Sequence, residues 1–174
     1  MAETARTVKT PEMAQRTRPR PARTRALRIL VVITLVLLTV QGWLGDEVNL
    51  FGAPPDGTPP PAASLSGFLR AVASLHPALF LLWHTVEGVV LVVLAVAVSV
   101  GAFLWSDSTG VRAWSVLGLL TMVSAAVGGY LFVMSGFTDG GASAQMGGSF
   151  IGAYAAYFLT LYYTRSDRHT APGG

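Results

Sequence analysis

Cysteine is absent from the 174 residues. That excludes disulfides, iron–sulfur clusters, thiolate zinc sites and covalent c-type haem attachment. Charge is scarce as well: 12% of the residues are Asp, Glu, Lys or Arg, about half the share of an ordinary soluble domain. Lysine is nearly missing, with Lys9 alone against eleven arginines, and Ala, Gly and Val are abundant, a usage associated with GC-rich bacterial genes. There is no nucleophile triad, carboxylate dyad or phosphate-binding glycine loop. The Gly-rich stretch from Ser135 to Gly141 lacks the strand-then-helix context and the Gly-Lys-Ser/Thr ending of a phosphate loop, so it reads as a turn. What the chain has instead is apolar surface, with 52% hydrophobic residues and a mean hydropathy of +0.53. So much apolar content at a net charge of +3 excludes disorder over most of the chain.

The apolar residues gather into runs. Roughly 20 of them at 1.5 Å each are needed to cross the hydrocarbon core as a helix. Four segments qualify: about 27–44, 77–105, 113–136 and 142–163. Their length and their lack of period-two alternation predict helices rather than barrel strands. The expected fold is therefore all-α, an integral membrane four-helix bundle. Eight of the twelve basic residues precede residue 29, and Arg112, Arg165 and Arg168 fall on the same side if the chain crosses four times. Arg70 alone remains opposite, beside Asp46, Glu47, Asp56 and Asp139. The positive-inside rule then puts both termini in the cytoplasm, in a plasma membrane of bacterial type.

The flanking segments have their own logic. Residues 1–26 are polar, basic and broken by Pro11, Pro19 and Pro21. They read as a disordered cytoplasmic tail drawn to anionic lipid, a topology determinant rather than a nucleic-acid arm. Without a small-x-small site close after Trp43, the first span reads as uncleaved. Residues 164–174 form a second cytoplasmic tail. The outer loop, 45–76, opens with Pro54, Pro55, Pro59, Pro60 and Pro61, which forbid a helix there. Then Leu65, Phe68, Leu69, Val72 and Leu75 recur at helical spacing, predicting a short amphipathic helix over about 63–75. It lies either on the membrane surface as a connector or over a pocket between the spans.

Helices in lipid associate through small residues that let backbones approach. Ala144, Gly148, Gly152, Ala156 and Thr160 recur every four residues along the fourth span. Thr121, Ser124, Ala125, Gly128 and Gly129 offer a matching surface on the third. These predict a tight contact between the last two spans, or a surface for a homo-oligomer or a larger membrane complex.

Ionisable groups inside a span are costly and usually face a bundle interior. The second span holds all of them: His76 at its start, then His84 and Glu87. At 100° per residue, Glu87 lies about 20° from the direction of His76, and His84 about 80° away. The three form a polar ladder descending from the outer surface, His84 roughly 12 Å and Glu87 roughly 16 Å below His76. One reading is structural: His76 meets water or headgroups, and His84 bonds Glu87 with a Thr or Tyr partner. The others are a proton or quinone site, or haem ligation. His76 and His84 sit on one helix and cannot ligate one iron together, so a haem b would take its second axial ligand from Met146 on the fourth span, unless Met146 is an ordinary packing residue. No non-haem metal site is read.

The chain resembles one four-helix half of the haem A synthase family, membrane proteins built from two such bundles. Gln41-Gly42-Trp43-Leu44-Gly45 matches the Gln-x-x-x-Gly near the outer end of that family's odd helices. His76 and His84 follow a long outer loop, as the haem-ligating histidines of its even helices do. The resemblance covers about residues 27–163 and implies a haem-associated or redox-accessory protein with its site in the outer half. It departs from the family at the fourth helix, where Ala144-Gln145-Met146-Gly147-Gly148 stands in place of a His, and at Glu87, which follows its His rather than preceding it. The class that competes with this reading is a non-catalytic subunit packed against another membrane complex.

Overall fold

A computed structural model describes residues 21–51, 64–74 and 79–166. The basic tail up to residue 20, the proline-rich part of the loop, His76 with Pro77, and residues 167–174 lie outside the described residues. All regular structure among the described residues is helical: α1 (Pro21–Phe51), α2 (Leu65–Ala73), α3 (Leu79–Trp105), α4 (Thr109–Met134) and α5 (Gly140–Ser166).

The helix ends follow local chemistry. Ser64 opens α2, its hydroxyl accepting the Gly67 N–H at 3.1 Å. Ser108 caps α4 by accepting the Val111 N–H at 3.5 Å. Asp139 caps α5, its carboxylate accepting from the Ala142 N–H at 3.0 Å. Between α4 and α5 the chain reverses through Gly136 and Phe137, at φ 67° and 63°. The left-handed region is easy for glycine and strained for phenylalanine. The Phe137 ring is held by an edge-on contact with Phe132, centroids 5.5 Å apart.

The four long helices close a ring. α1 packs on α3, α3 on α4, α4 on α5 and α5 back on α1, with no contact across either diagonal among the described residues. Neighbours run antiparallel. At one end the Arg28 guanidinium donates to the Thr164 carbonyl, and Gly110 meets the Tyr163 ring. At the other end Gly42 meets Phe150, and Gly45 meets His84. Arg23, Arg25, Arg28, Arg112 and Arg165 therefore share one end, the arginine end. Arg70 and α2 lie at the other, with Asp46, Glu47 and Asp139.

Leu27, Val31, Leu38, Leu91, Ala95, Val98, Val111, Met122, Ala153 and Tyr157 fill the ring. A second cluster of Phe68, Val72, Leu81 and Val133 lies under α2. The amphipathic helix thus turns its apolar side onto α3 and α4 at that end of the bundle. Three helices carry stretches long and apolar enough to cross a membrane: Ala22–Glu47 in α1, Leu79–Trp105 and Thr109–Met134. Their outward rows, among them Val36, Val93 and Leu120, are exposed. The chain is accordingly a multi-pass membrane protein in its helix lengths and composition, with lipid as the surrounding these rows fit.

The small-residue row on α5 behaves differently from its spacing. Gly152 packs on Thr121, and Ala156 and Thr160 are buried, but a Cβ on Gly148 would meet nothing within 4 Å and Ala144 is exposed. A four-residue step advances 400°, so the row drifts about 40° per step and leaves α4 before the α2 end. Close approach there is made by Gly128 instead, where a Cβ would stand 2.8 Å from the Met146 nitrogen and 2.9 Å from the Ala142 carbonyl oxygen. Ser124 adds polar clamps, accepting from Gln145 Nε2 and from the Ser149 hydroxyl, the latter at 2.9 Å.

Candidate functional site

Near the α2 end, the seam between α1 and α3 holds the bundle's polar cluster. His84 lies five residues inside α3, about 7.5 Å from its first residue, and Glu87 about 12 Å. The imidazole faces α1. A Cβ on Gly45 would stand 3.3 Å from its Cε1, so glycine is what lets the two helices close over the ring. One turn deeper, Gln41 crosses to α3. Its Nε2 lies 3.1 Å from the His84 carbonyl oxygen and 3.3 Å from His84 Nε2. That amide lies over Gly88, where a Cβ would stand at an ordinary contact distance of 3.4 Å from Gln41 Nε2.

A carbonyl only accepts, so the group of Gln41 facing it is the NH2, which lies beside the imidazole Nε2 as well. Three atoms of the cluster are buried without a hydrogen-bond partner among the described residues: His84 Nδ1, Gln41 Oε1 and Glu87 Oε1. Such groups cost free energy until something completes them. Glu87 itself sits about 60° round α3 from His84, toward the exposed row of Trp83, Val86 and Val90. It stands on the rim of the seam, between bundle interior and lipid face.

The residues singled out in the sequence separate here. His84 and Glu87 share the seam, yet no hydrogen bond joins them among the described residues. His84's partner is Gln41, and the Thr85 hydroxyl turns back to the Leu81 carbonyl at 2.8 Å. His76 lies outside the described residues. Met146 is on α5, diagonally across the ring from α3, with its Sδ against α4, 3.2 Å from where a Cβ on Gly129 would be. His84 and Met146 are not arranged as an axial pair. For a haem, the seam offers one imidazole, its Nε2 3.3 Å from Gln41 Nε2, and no second axial ligand beside it among the described residues. Gln41 and Gly45 as the setting of His84 follow from no periodicity; their signal was the Gln-x-x-x-Gly spacing. Tyr157 carried no signal. It is fully buried, its hydroxyl has no partner among the described residues, and its ring fills the place of a side chain on Gly118.

No known protein family, curated protein or solved structure matches the chain.

Proposed function

We propose that the chain is a four-span protein of the bacterial plasma membrane with both termini in the cytoplasm, and that it works as a redox-accessory protein through the Gln41–His84–Glu87 seam. The observation that carries the site is the set of three buried, unpartnered polar atoms in a region where uncharged residues would cost less. The positive-inside rule supports reading the α2 end, and with it the seam, as the outer half. The fourth span is supported by α5's 27 residues and its side-by-side packing with α1 and α4. No ionisable Asp, Glu, Lys, Arg or His occurs between Asp139 and Arg165.

Haem is the first group to test; His84 would hold it through Nε2 once the Gln41 amide moves off that nitrogen. A reduced-minus-oxidised visible spectrum of the detergent-purified protein, expressed with haem supplied, reads this directly. A Soret band that His84→Ala removes is the expected result for haem, and its absence in the intact chain overturns the haem reading.

The second reading is a subunit that packs on another membrane complex through α5. It is favoured by Gly147 and Gly148, which open onto space on an exposed face. Under it, Gly148→Leu abolishes association while His84→Ala is tolerated. Gly152→Leu does not test it, because Gly152 packs inside the bundle on Thr121.

A further inference from the structure

We propose that the outward side of the α1–α5 seam binds an anionic phospholipid at the arginine end, its phosphate between Arg25 and Arg165 and an acyl chain along α5. This rests on the reading of α5 as a span and is independent of what the Gln41–His84–Glu87 seam holds.

Two contacts fix how α1 and α5 run past each other. Arg28 donates to the Thr164 carbonyl, and Gly42 meets the Phe150 ring. Both pairs give the same antiparallel register, which sets Arg165 level with Leu27, so Arg25 and Arg165 stand about 3 Å apart along the bundle axis. Their directions agree as well. Arg25 lies about 60° round α1 from Arg28, away from buried Leu27. Arg165 lies about 60° round α5 from Phe150, away from buried Ala153. Both arginines are exposed on the same side of the same seam.

Neither has a counter-charge in the protein. Arg112 lies 3.8 Å from Asp107 and over the Phe103 ring, and Arg28 is bonded to α5. Arg25 and Arg165 have no hydrogen bond or ion pair among the described residues. Asp107 is the one described acid at that end, and the α3–α4 turn puts it across the ring from the α1–α5 seam. Asp167 and Arg168, next in the sequence, cancel in charge and lie outside the described residues. Two cations at one level repel each other until an anion sits between them, and at a membrane surface the anion at hand is lipid phosphate.

Deeper along α5 there is a place for the tail. The ridge Phe150, Tyr154 and Phe158 and the row Ile151, Ala155 and Leu159 border an open, apolar groove of about 410 Å³. Its middle lies about 30° round α5 from Arg165, and its far end about 22 Å along the axis, half the thickness of a bilayer with its headgroups. A partner helix is the competing occupant of an apolar groove, and what favours lipid is the pair of cations at its mouth.

The test is native mass spectrometry of the full chain in detergent, titrated with dioleoylphosphatidylglycerol or dioleoylphosphatidylcholine. The expected result is one retained phosphatidylglycerol per chain, held about twentyfold more strongly than phosphatidylcholine. Arg25→Gln and Arg165→Gln each weaken it about fivefold, the effect of one basic residue at a lipid surface, and together they remove the preference. Ala155→Trp fills the groove and weakens retention of both lipids. Arg23→Gln, about 160° round α1 from Arg25, stays within about twofold. All four positions are exposed, so the variants keep the core.

Equal retention of the two lipids overturns the proposal. So does an Arg23→Gln effect as large as that of Arg165→Gln, which would make the attraction one of net charge rather than of a site. If Ala155→Trp leaves lipid retention unchanged and instead shifts the oligomeric state, the groove is a protein contact and the proposal falls. Labelling of Arg165→Cys from outside intact cells removes the span itself, a failure distinct from any seen in the detergent titration.

Discussion

Gly128 and Gly118 are the positions where a single methyl group is felt most. A Cβ on Gly128 would press on the backbone of α5 at 2.8 and 2.9 Å, and backbone cannot rotate away. On Gly118 it would meet the Tyr157 ring, 2.7 Å from Cζ, in a filled core. Gly128→Ala and Gly118→Ala are each expected to cost about 1–3 kcal/mol, Gly128 the more because helix separation is its only relief. Tyr157→Phe goes the other way. It deletes a buried hydroxyl that has no partner, so it is expected to be neutral or stabilising. Denaturant unfolding of the three variants in detergent micelles orders them. A Tyr157→Phe protein as destabilised as Gly118→Ala would mean that the hydroxyl is completed by a group bound inside the bundle. His84 and Glu87 were legible in the sequence because ionisable side chains are rare in apolar runs. Their partners carried only the Gln-x-x-x-Gly spacing of the first span, and nothing local pairs Gln41 with His84 until two helices are brought side by side.

The short helix α2 is the element whose role the sequence left open. Its period-3.6 apolar side suits a lipid surface and a protein surface equally well, since both are apolar. Phe68 and Val72 are buried with Leu81 and Val133, and the Phe68 ring lies 5.2 Å from that of Tyr130, so protein covers that side. Phe68→Ala removes a large ring from this cluster and is expected to cost about 3 kcal/mol. The loss should be local. Limited proteolysis should cut near α2 much faster in the variant, while protection of α3 and α4 is unchanged. If α2 is cut equally fast in both proteins, its contact with the bundle does not hold it. The α5 row teaches the same lesson from the other side. Spacing placed five small residues in one line, but helical drift takes that line off its neighbour, and where it departs depends on the crossing geometry.

For the molecule as a whole, the missing cysteines make topology directly measurable, because each introduced thiol is the only one present. In intact cells, Asp139→Cys and Ser66→Cys are expected to react with a membrane-impermeant maleimide. Asp107→Cys and Arg165→Cys should react only after permeabilisation. Labelling of Arg165→Cys from outside would remove the fourth span and leave α5 as a helix laid against the other three. The arginine distribution, the apolar run lengths and the all-helical class could be read directly from the residues, since each depends on local composition against the bilayer's fixed thickness and charge asymmetry. The ring order of the helices, the seating of α2 on α3 and α4 and the meeting of Gln41 with His84 required the folded chain. They depend on which side of each helix faces which neighbour, and contacts between residues distant in sequence are set by packing and not by any local pattern.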